Sequence, residues 1–292
     1  MRAYALAMSA HDPSAATPAE LLRRRVADDP STPLVTFYDD ATGERVELSA
    51  RTFDNWVAKT ANFLVDGLGA QPGDRVVLVL PPHWQTAVWL LACWSAGLVA
   101  EPVDPAAVRG RDGGEPIGSS GPYIVAAAQE VLDDVVTDGE AEEIVGLSLH
   151  SLGRPLADCP PGVTDYAEEV RGYGDRFSPG REVTPGAPAL QVAAQNVTKA
   201  TLSAGELVGA ARDAAEKWEL DARDRLLVDM PFATLDGVLI ALLAPLASGA
   251  SVIIQRNFDK ATLDRRATVE HVTVVAGPPG PNDASGSPYR LS

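Results

Sequence analysis

An apolar strand, a helix and a second strand follow one another between residues 75 and 103. Arg75–Leu80 is apolar after its first residue, Trp84–Ala96 has the length of a helix, and Gly97 separates it from the mainly apolar run Leu98–Val103. Strands that are apolar on both faces are typical of parallel sheets, which helices cover on both sides. Parallel neighbours also need a long crossover connection, for which the helix is suited. This stretch therefore predicts a βαβ unit.

The same alternation of strands and helices recurs on either side. Before residue 70, a capping box at Thr17-Pro18-Ala19-Glu20 predicts a helix start, Leu34–Tyr38 and Arg45–Leu48 predict a hairpin, and Ser49 precedes another helix. After Ser203 the predicted elements are a helix to Trp218, strand Arg225–Asp229, helix Leu235–Ala247, strand Ser251–Ile254, helix Asp259–Thr268 and strand Val272–Ala276. Such alternation predicts an α/β fold with mostly parallel sheets flanked by helices.

The middle of the chain carries weaker signals. Short strands are expected at Tyr123–Val125, Glu143–Leu149 and Ala189–Val192. Pro155–Arg181 is rich in proline and glycine and is predicted to be a long surface loop with a helical turn or two near its middle.

Charge and cysteine content narrow the classes of function. The chain has 40 acidic and 24 basic residues, a net charge of −16, which argues against nucleic acid or an anionic membrane surface as a partner. The uncharged run Gly237–Ile254 is interrupted by Pro245 and Gly249, so it predicts a buried helix and strand rather than a membrane span. Two cysteines and a weak N-terminal apolar run predict reduced thiols in a cytoplasmic protein, and the scarcity of lysine suggests a bacterial source.

Several segments together resemble the AMP-forming adenylating enzymes, which include acyl-CoA synthetases, peptide-synthetase adenylation domains and firefly luciferase. The segments that carry the resemblance are Leu34–Tyr38, Val46–Ser49, Gln71–Pro81, Leu90–Gly97, Pro102–Pro105, Leu226–Phe232, Leu242–Leu246 and Gly249–Ile254. Their order and spacing, from about Ala19 to Gly277, are similar to the first part of these enzymes. The chain resembles a group of short bacterial proteins with only that part.

The resemblance implies a phosphate-binding loop at Ala193–Ala200, where the enzymes carry a run rich in glycine and hydroxyl groups. This chain has no glycine there and one hydroxyl, on Thr198, although Lys199 is kept. Glycine allows the backbone amides to approach phosphate closely, and a Cβ restricts that approach. The family's later segments, which supply its Mg²⁺-binding glutamate, ribose-binding aspartate and catalytic lysine, have no match here. We therefore expect no catalytic residue, no metal site and no cofactor; ATP and Mg²⁺ enter only if another chain completes the enzyme.

The resemblance also implies two lobes, with residues 19–70 and 223–276 in one and residues 71–222 in the other. Residues 1–18 and 277–292 are expected to be disordered tails. Either an exposed sheet edge or an uncovered apolar face is expected around Leu226–Asp229, Val252–Ile254 and Val272–Val275, which predicts a homodimer or a protein partner over that lobe.

Three functions remain open. The first is a non-catalytic acyl-CoA synthetase-like module, a pseudoenzyme of AMP-binding type, that binds a small acyl or nucleotide-like ligand or a protein partner. The second is an AMP-forming ligase completed by another chain, and the third is an interaction protein with no ligand site. The first is preferred, so enzymatic activity is uncertain and not expected.

A ligand is expected at the carboxyl ends of the strands, where open α/β sheets bind their ligands. The candidate residues are His83, Trp84, Asn196, Thr198, Lys199 and Phe232. Trp84 and Phe232 would supply apolar walls and the others polar contacts. An equal alternative is that side chains fill this cleft and that it binds no ligand. Asp229 with Asp236, and Asp39 with Asp40, are interpreted as turn and cap residues rather than as carboxylate sites.

Overall fold

The computed structural model describes residues 16–110, 117, 121–138, 141–151, 153–193, 199–277 and 289–291, and folds them around two sheets. The strands of the six-stranded sheet, numbered in chain order and given in spatial order, are β13 (Tyr289–Arg290), β12 (Val274–Ala276), β10 (Arg225–Val228), β11 (Ser251–Arg256), β1 (Pro33–Asp39) and β2 (Glu44–Ser49). All neighbours are parallel except the hairpin β1–β2.

The second sheet has seven strands. In spatial order they are β7 (Val163–Asp165), β6 (Glu143–Leu147), β5 (Ile124–Ala128), β3 (Arg75–Val79), β4 (Val99–Val103), β8 (Pro188–Ala193) and β9 (Lys199–Ser203). Only the hairpin β8–β9 is antiparallel. The mostly parallel α/β fold is thus confirmed. The six-stranded sheet takes its strands from residues 33–49, 225–276 and 289–290, and the seven-stranded sheet from residues 75–203.

Nine α-helices connect the strands of the described chain: α1 (Pro18–Asp28), α2 (Ala50–Asn62), α3 (Trp84–Ala96), α4 (Leu132–Asp138), α5 (Tyr166–Glu169), α6 (Ala204–Lys217), α7 (Leu235–Val238), α8 (Ala244–Ser248) and α9 (Leu263–Val269). A π-helical segment, Phe63–Gly67, continues α2, and a second, Leu239–Leu243, joins α7 to α8. Short 3₁₀ turns lie at Pro105–Ala107, Gln129–Val131, Val170–Gly172 and Lys260–Thr262. None of the helices in the described ranges is long and apolar enough to cross a membrane.

Local sequence signals set the helix ends. Thr17 and Glu20 form the predicted capping box of α1, and Ser203 and Glu206 form another at α6. Ser49 caps α2 by accepting a hydrogen bond from the backbone N–H of Thr52. Each side-chain oxygen satisfies one of the amides that a helix start leaves without a partner.

Helix α3 is the centre of the molecule. All thirteen of its residues are buried, and it contacts β1 of the first sheet and both β3 and β4 of the second. Trp84, Trp89 and Trp94 therefore belong to the core, and the indole N–H of Trp94 donates to the carbonyl of Ala189 at 2.8 Å. A single apolar cluster includes residues from both sheets, so the two expected lobes share one core.

Three segments differ from the sequence-based expectation. Residues 199–203 form β9 and pair with β8, where a simple loop into a helix was expected. Residues 163–165, within the expected surface loop, pair with β6, and residues 289–290, within the expected C-terminal tail, pair with β12. The partners of the strands at 163–165 and 289–290 lie about 15 to 19 positions away, whereas residues 199–203 form a hairpin with the neighbouring strand β8. Residues 1–15 and 278–288 lie outside the described part of the chain.

The expectation of an uncovered apolar face is wrong for the described residues. Leu227, Ile253 and Val275 are buried in a second apolar cluster together with Leu263 of helix α9 and with Val272. Helix α9 covers this face because its apolar residue Leu263 packs against the sheet. Within the described chain, Val269 is the large apolar residue that remains strongly exposed, at 64%. The homodimer or partner stays a prediction without this support.

Candidate functional site

A cleft of about 390 Å³ lies where strands of both sheets end. The residues that line it follow β3, β4, β5, β10 and β11 or end them: Pro81, Pro82, Asp104, Pro105, Ala106, Arg109, Glu130, Asp229, Gln255, Arg256 and Asn257. The parallel strands bring these carboxyl ends to one side of the molecule. The strand-end loops at Pro81-Pro82 and Asp104-Pro105 line this cleft, as expected for a site at the carboxyl ends of the strands.

Two arginines and one glutamate form an ion-pair cluster in the cleft. The guanidinium of Arg256, at the end of β11, lies 2.7 Å from one carboxylate oxygen of Glu130, which follows β5. The guanidinium of Arg109 lies 3.8 Å from the other oxygen. The Arg256–Glu130 pair connects the two sheets across the cleft. It also supplies the planar donors that suit carboxylate and phosphate groups.

Gln255 contributes a hydrogen-bond donor with no acceptor in the described structure. Its Oε1 accepts from the guanidinium of Arg266, so the remaining amide atom, Nε2, must be the NH₂ group. This nitrogen is buried and has no hydrogen-bond partner. The neighbouring strand ends at Asp229, whose pKa is raised by burial and by the nearby charge of Asp40. Gln255 and Asp229 therefore add a buried amide and a partly buried carboxyl group to the residues around the cleft.

His83 is buried beside the cleft and not open to it. It caps α3, its Nδ1 accepts from the backbone N–H of Gln85 at 3.1 Å, and its ring meets the Phe37 ring at a centroid distance of 4.3 Å. Burial, with a smaller contribution from Arg256, lowers the pKa of His83 to about 3, so the imidazole is neutral at neutral pH. Its Nε2 has no partner among the described protein atoms.

Trp84 and Phe232 do not form the apolar walls expected of them in this cleft. Trp84 packs edge-on against Trp56 with ring centroids 5.4 Å apart, and both Trp84 and Phe232 are buried in the main apolar cluster. Their hydrophobic surface is used in the core between the sheets, so the walls of the cleft are made by proline and charged residues instead.

Lys199 has a partner within the chain. It is the first residue of β9, and its Nζ donates to Oε1 of Glu101, a buried residue of β4. The charge expected to contact a ligand therefore compensates a carboxylate inside the second sheet. Asn196 and Thr198, the other two candidates from this segment, lie outside the described residues.

The aspartates follow the turn and cap interpretation, with one correction. Asp39 Oδ1 accepts from the backbone N–H of Ala41 at 2.8 Å, as expected for a turn. Asp40 forms an ion pair with Arg266 at 2.5 Å and so also joins the hairpin to α9. Thr234, not Asp236, caps α7. Among the described residues no group of three or more histidine, cysteine or acidic side chains could hold a metal ion.

Sequence reasoning missed Arg109, Glu130, Gln255 and Arg256. Each is an ordinary charged or amide residue outside any motif. The available signal was position for Gln255 and Arg256, which directly follow the predicted strand Ser251–Ile254, whereas Glu130 lies five residues beyond the predicted strand Tyr123–Val125. Their juxtaposition depends on how the two sheets pack and could not be read from spacing.

Comparison with known proteins shows which family the sequence resembles. Residues 22–151 match the family model described as AMP-binding enzyme. The TIGR03089 family protein of Mycobacterium tuberculosis is 40% identical over 251 residues, which cover 85% of this chain and 92% of that protein. The sulfoacetate–CoA ligase of Cupriavidus necator is 27% identical over 205 residues, covering 68% of this chain but 37% of the ligase.

Solved structures show the same fold. An acyl-CoA synthetase from Brucella canis superposes with a TM-score of 0.73 at 16% identity, covering 89% of this chain and 47% of that one. Acetoacetyl-CoA synthetase from Streptomyces lividans gives a TM-score of 0.73 at 18% identity, covering 89% of this chain and 42% of that one. The chain thus spans less than half the length of these synthetases. With the near-complete match to the mycobacterial protein, the chain belongs to the TIGR03089 family, within the superfamily of AMP-forming adenylating enzymes.

Proposed function

We propose that this chain is a non-catalytic module of AMP-binding type that binds a small acyl or nucleotide-like ligand in the cleft between the two sheets. The observation that carries the proposal is the cleft itself, at the carboxyl ends of strands from both sheets, with a volume of about 390 Å³. Ligand sites of α/β proteins lie at this end of the strands, and small-molecule pockets are of this size.

The absence of catalysis is argued from the segment Ala193–Ala200. It contains no glycine, and the Lys199 ammonium is paired with Glu101. A phosphate-binding loop needs backbone amides that can approach the phosphate oxygens and cationic groups free to stabilise the transition state. Carboxylate-dependent exchange of ATP with pyrophosphate should therefore stay at background. Exchange that is lost on Lys199→Ala would contradict this part and favour a ligase.

Calorimetric titration with AMP, ATP, CoA and a fatty acid tests binding in the cleft. Ala106 is exposed and lines the cleft, whereas Ala107 is exposed but does not. Ala106→Phe should fill the cleft and weaken binding of the active probe about tenfold or more, which corresponds to about 1.4 kcal/mol. The matched variant Ala107→Phe should bind like the wild type. Failure of all four probes to bind, or equal binding by both variants, would contradict the proposal.

A reducing, cytoplasmic setting is part of the proposal. It is supported by the two cysteines, which are both unpaired, Cys93 in the core and Cys159 at the surface. A disulfide in the purified, unreduced protein would contradict it.

A further inference from the structure

We propose that Glu130 occupies the place of a ligand's anionic group in the cleft, and that a phosphate or carboxylate group of a small molecule displaces it from Arg256 and Arg109. The inference deepens the proposed function and rests on it for the location of the ligand. It adds the chemical class of the ligand, the side chains that hold it and an internal competitor.

The charges of the cluster are unequal. Two guanidinium groups approach the one carboxylate of Glu130, Arg256 at 2.7 Å and Arg109 at 3.8 Å, and the carboxylates of Asp104 and Asp229 line the same cleft. The second acidic residue of this rim, Asp104, uses Oδ1 to accept from the backbone N–H of Ala106 at 2.9 Å. An arriving oxyanion can bind two convergent guanidiniums in the planar, two-donor geometry that arginine favours.

The burial of the partners decides which one can leave. Only 19% of the Arg256 side chain is exposed, against 37% for Glu130 and 62% for Arg109. A largely buried guanidinium needs an anion beside it, because an uncompensated buried charge is costly. Glu130, in contrast, is solvated enough to turn outward at little cost, since exposed ion pairs contribute about 0–1 kcal/mol. Arg256 is therefore the fixed element of the site and Glu130 the replaceable one.

The backbone does not have to move for this exchange. Arg256 ends a strand of the first sheet, whereas Glu130 lies in the 3₁₀ turn after β5 of the second sheet. Side-chain rotation of Glu130 alone breaks the contact between the sheets and leaves both strands in place.

Calorimetric titration with inorganic phosphate and with acetate, at constant ionic strength, tests the exchange directly. Glu130→Gln removes the internal competitor and should tighten binding of the preferred anion about two- to fivefold. This factor corresponds to the free energy of an exposed ion pair. Arg256→Gln should weaken it about tenfold or more, because it removes a charge-assisted hydrogen bond. The control Arg181→Gln, at an exposed position outside the cleft, should leave the affinity unchanged.

The relative affinities of the two anions tell phosphate recognition from carboxylate recognition. Unchanged or weaker binding by Glu130→Gln would overturn the proposal, and so would the failure of both anions to bind wild type and Glu130→Gln. Glu130 is exposed, so the Glu130→Gln variant is expected to fold. It therefore tests the proposal even if Arg256→Gln does not fold. If AMP or CoA binds in the cleft with the same affinity in the wild type, Glu130→Gln and Arg256→Gln, the proposed function stands and only this inference is refuted. If phosphate or acetate binds as expected but AMP, ATP, CoA and the fatty acid do not bind, the anion site stands and the proposed function is refuted.

Discussion

At the scale of single residues, charged side chains inside this molecule are held by specific partners. Glu101 is buried in the middle of β4 and accepts from Lys199 at the start of β9. Glu270 is buried beside Arg225 and Arg45 and accepts from the hydroxyl of Tyr38. Each carboxylate ties together segments that are far apart in sequence, so removing a partner should affect the stability of the whole fold.

Lys199→Met should lower the free energy of unfolding by about 1–3 kcal/mol, because it leaves the buried carboxylate of Glu101 without this donor. Urea unfolding followed by circular dichroism measures the change. Replacing the carboxylate in the same chain, Glu101→Gln with Lys199→Met, should recover part of the loss. Lys260→Met, at an exposed position, should stay within about 0.5 kcal/mol of the wild type. Equal effects of the two lysine substitutions would show that the pair contributes nothing.

Glu270 should make stability depend on acid pH. Burial alone would raise its pKa, but hydrogen bonds from Arg45, Tyr38 and Arg225 outweigh burial and hold the pKa at about 2, below the ordinary value of 4.5. A carboxyl group whose pKa is depressed in the folded state contributes stability above its unfolded pKa, and that contribution is lost as the pH falls from about 4.5 to about 2.

Glu270→Gln should therefore unfold more easily at pH 7, by about 3 kcal/mol as for a broken buried ion pair. It should also show a shallower loss of stability between pH 4.5 and 2, measured by chemical unfolding at each pH. Parallel curves for wild type and variant across this range would contradict the assignment.

At the scale of elements, two glycines in helices have opposite roles. Gly237 lies in the first turns of α7, where a Cβ would overlap the carbonyl oxygen of Pro231. Gly209 lies within α6, where a Cβ would meet nothing within 4 Å. The sequence shows the same residue type in both helices, and only the packing distinguishes them.

Gly237→Ala should destabilise the protein by about 1–3 kcal/mol, because the loop before α7 must shift. Gly209→Ala should stabilise it by about 0.5–1 kcal/mol, because alanine loses less backbone entropy than glycine in a helix. Thermal unfolding of both variants measures the two signs. A stabilised Gly237→Ala would show that the Pro231 loop adapts freely.

At the scale of the whole molecule, the central helix α3 lies between the sheets and makes them one folding unit. Cys93 lies in this helix and is fully buried, and burial raises the pKa of its thiol well above the usual range. Cys159 lies at the surface, where partial desolvation and the carboxylates of Asp165, Glu168 and Asp158 also raise its thiol pKa. The reactivity of Cys93 therefore measures the packing of the core, and that of Cys159 measures a surface position.

Titration with a thiol reagent should find one reactive group per native chain and two after unfolding. The native reaction should be slow at neutral pH and speed up as the pH rises, because the thiolate is the reactive form. Cys159→Ser should abolish the native reaction and leave the reaction of the unfolded chain at one group. A second fast thiol in the native chain would contradict the packing of α3.

Much of the fold could be predicted because its signals are local. The capping residues Thr17, Ser49 and Ser203 mark helix starts, and the apolar run after Arg75 marks a central strand; all were confirmed. The strands at 163–165, 199–203 and 289–290 could not be predicted in the same way. The strands at 163–165 and 289–290 pair with strands across a longer stretch of chain, and residues 199–203 pair in a hairpin that no strong alternation or turn motif marked.

The candidate site was also predictable only in part. Its place at the carboxyl ends of the strands was expected, because parallel α/β sheets bring those ends together. Its lining was not, because His83, Trp84 and Phe232 are buried while Arg256 and Glu130 meet across the cleft. Whether a side chain is core or site depends on the surface that packs against it.

The sequence by itself determined the α/β class, the order of most elements and the family resemblance, since periodicity, caps and apolar strands act over a few residues. Only the tertiary structure decided that α9 covers the apolar face, that Lys199 neutralises Glu101, and that two arginines share Glu130. The physical reason is distance along the chain. These contacts join residues from about ten to more than a hundred positions apart, and the packing of two sheets around one buried helix decides which residues meet.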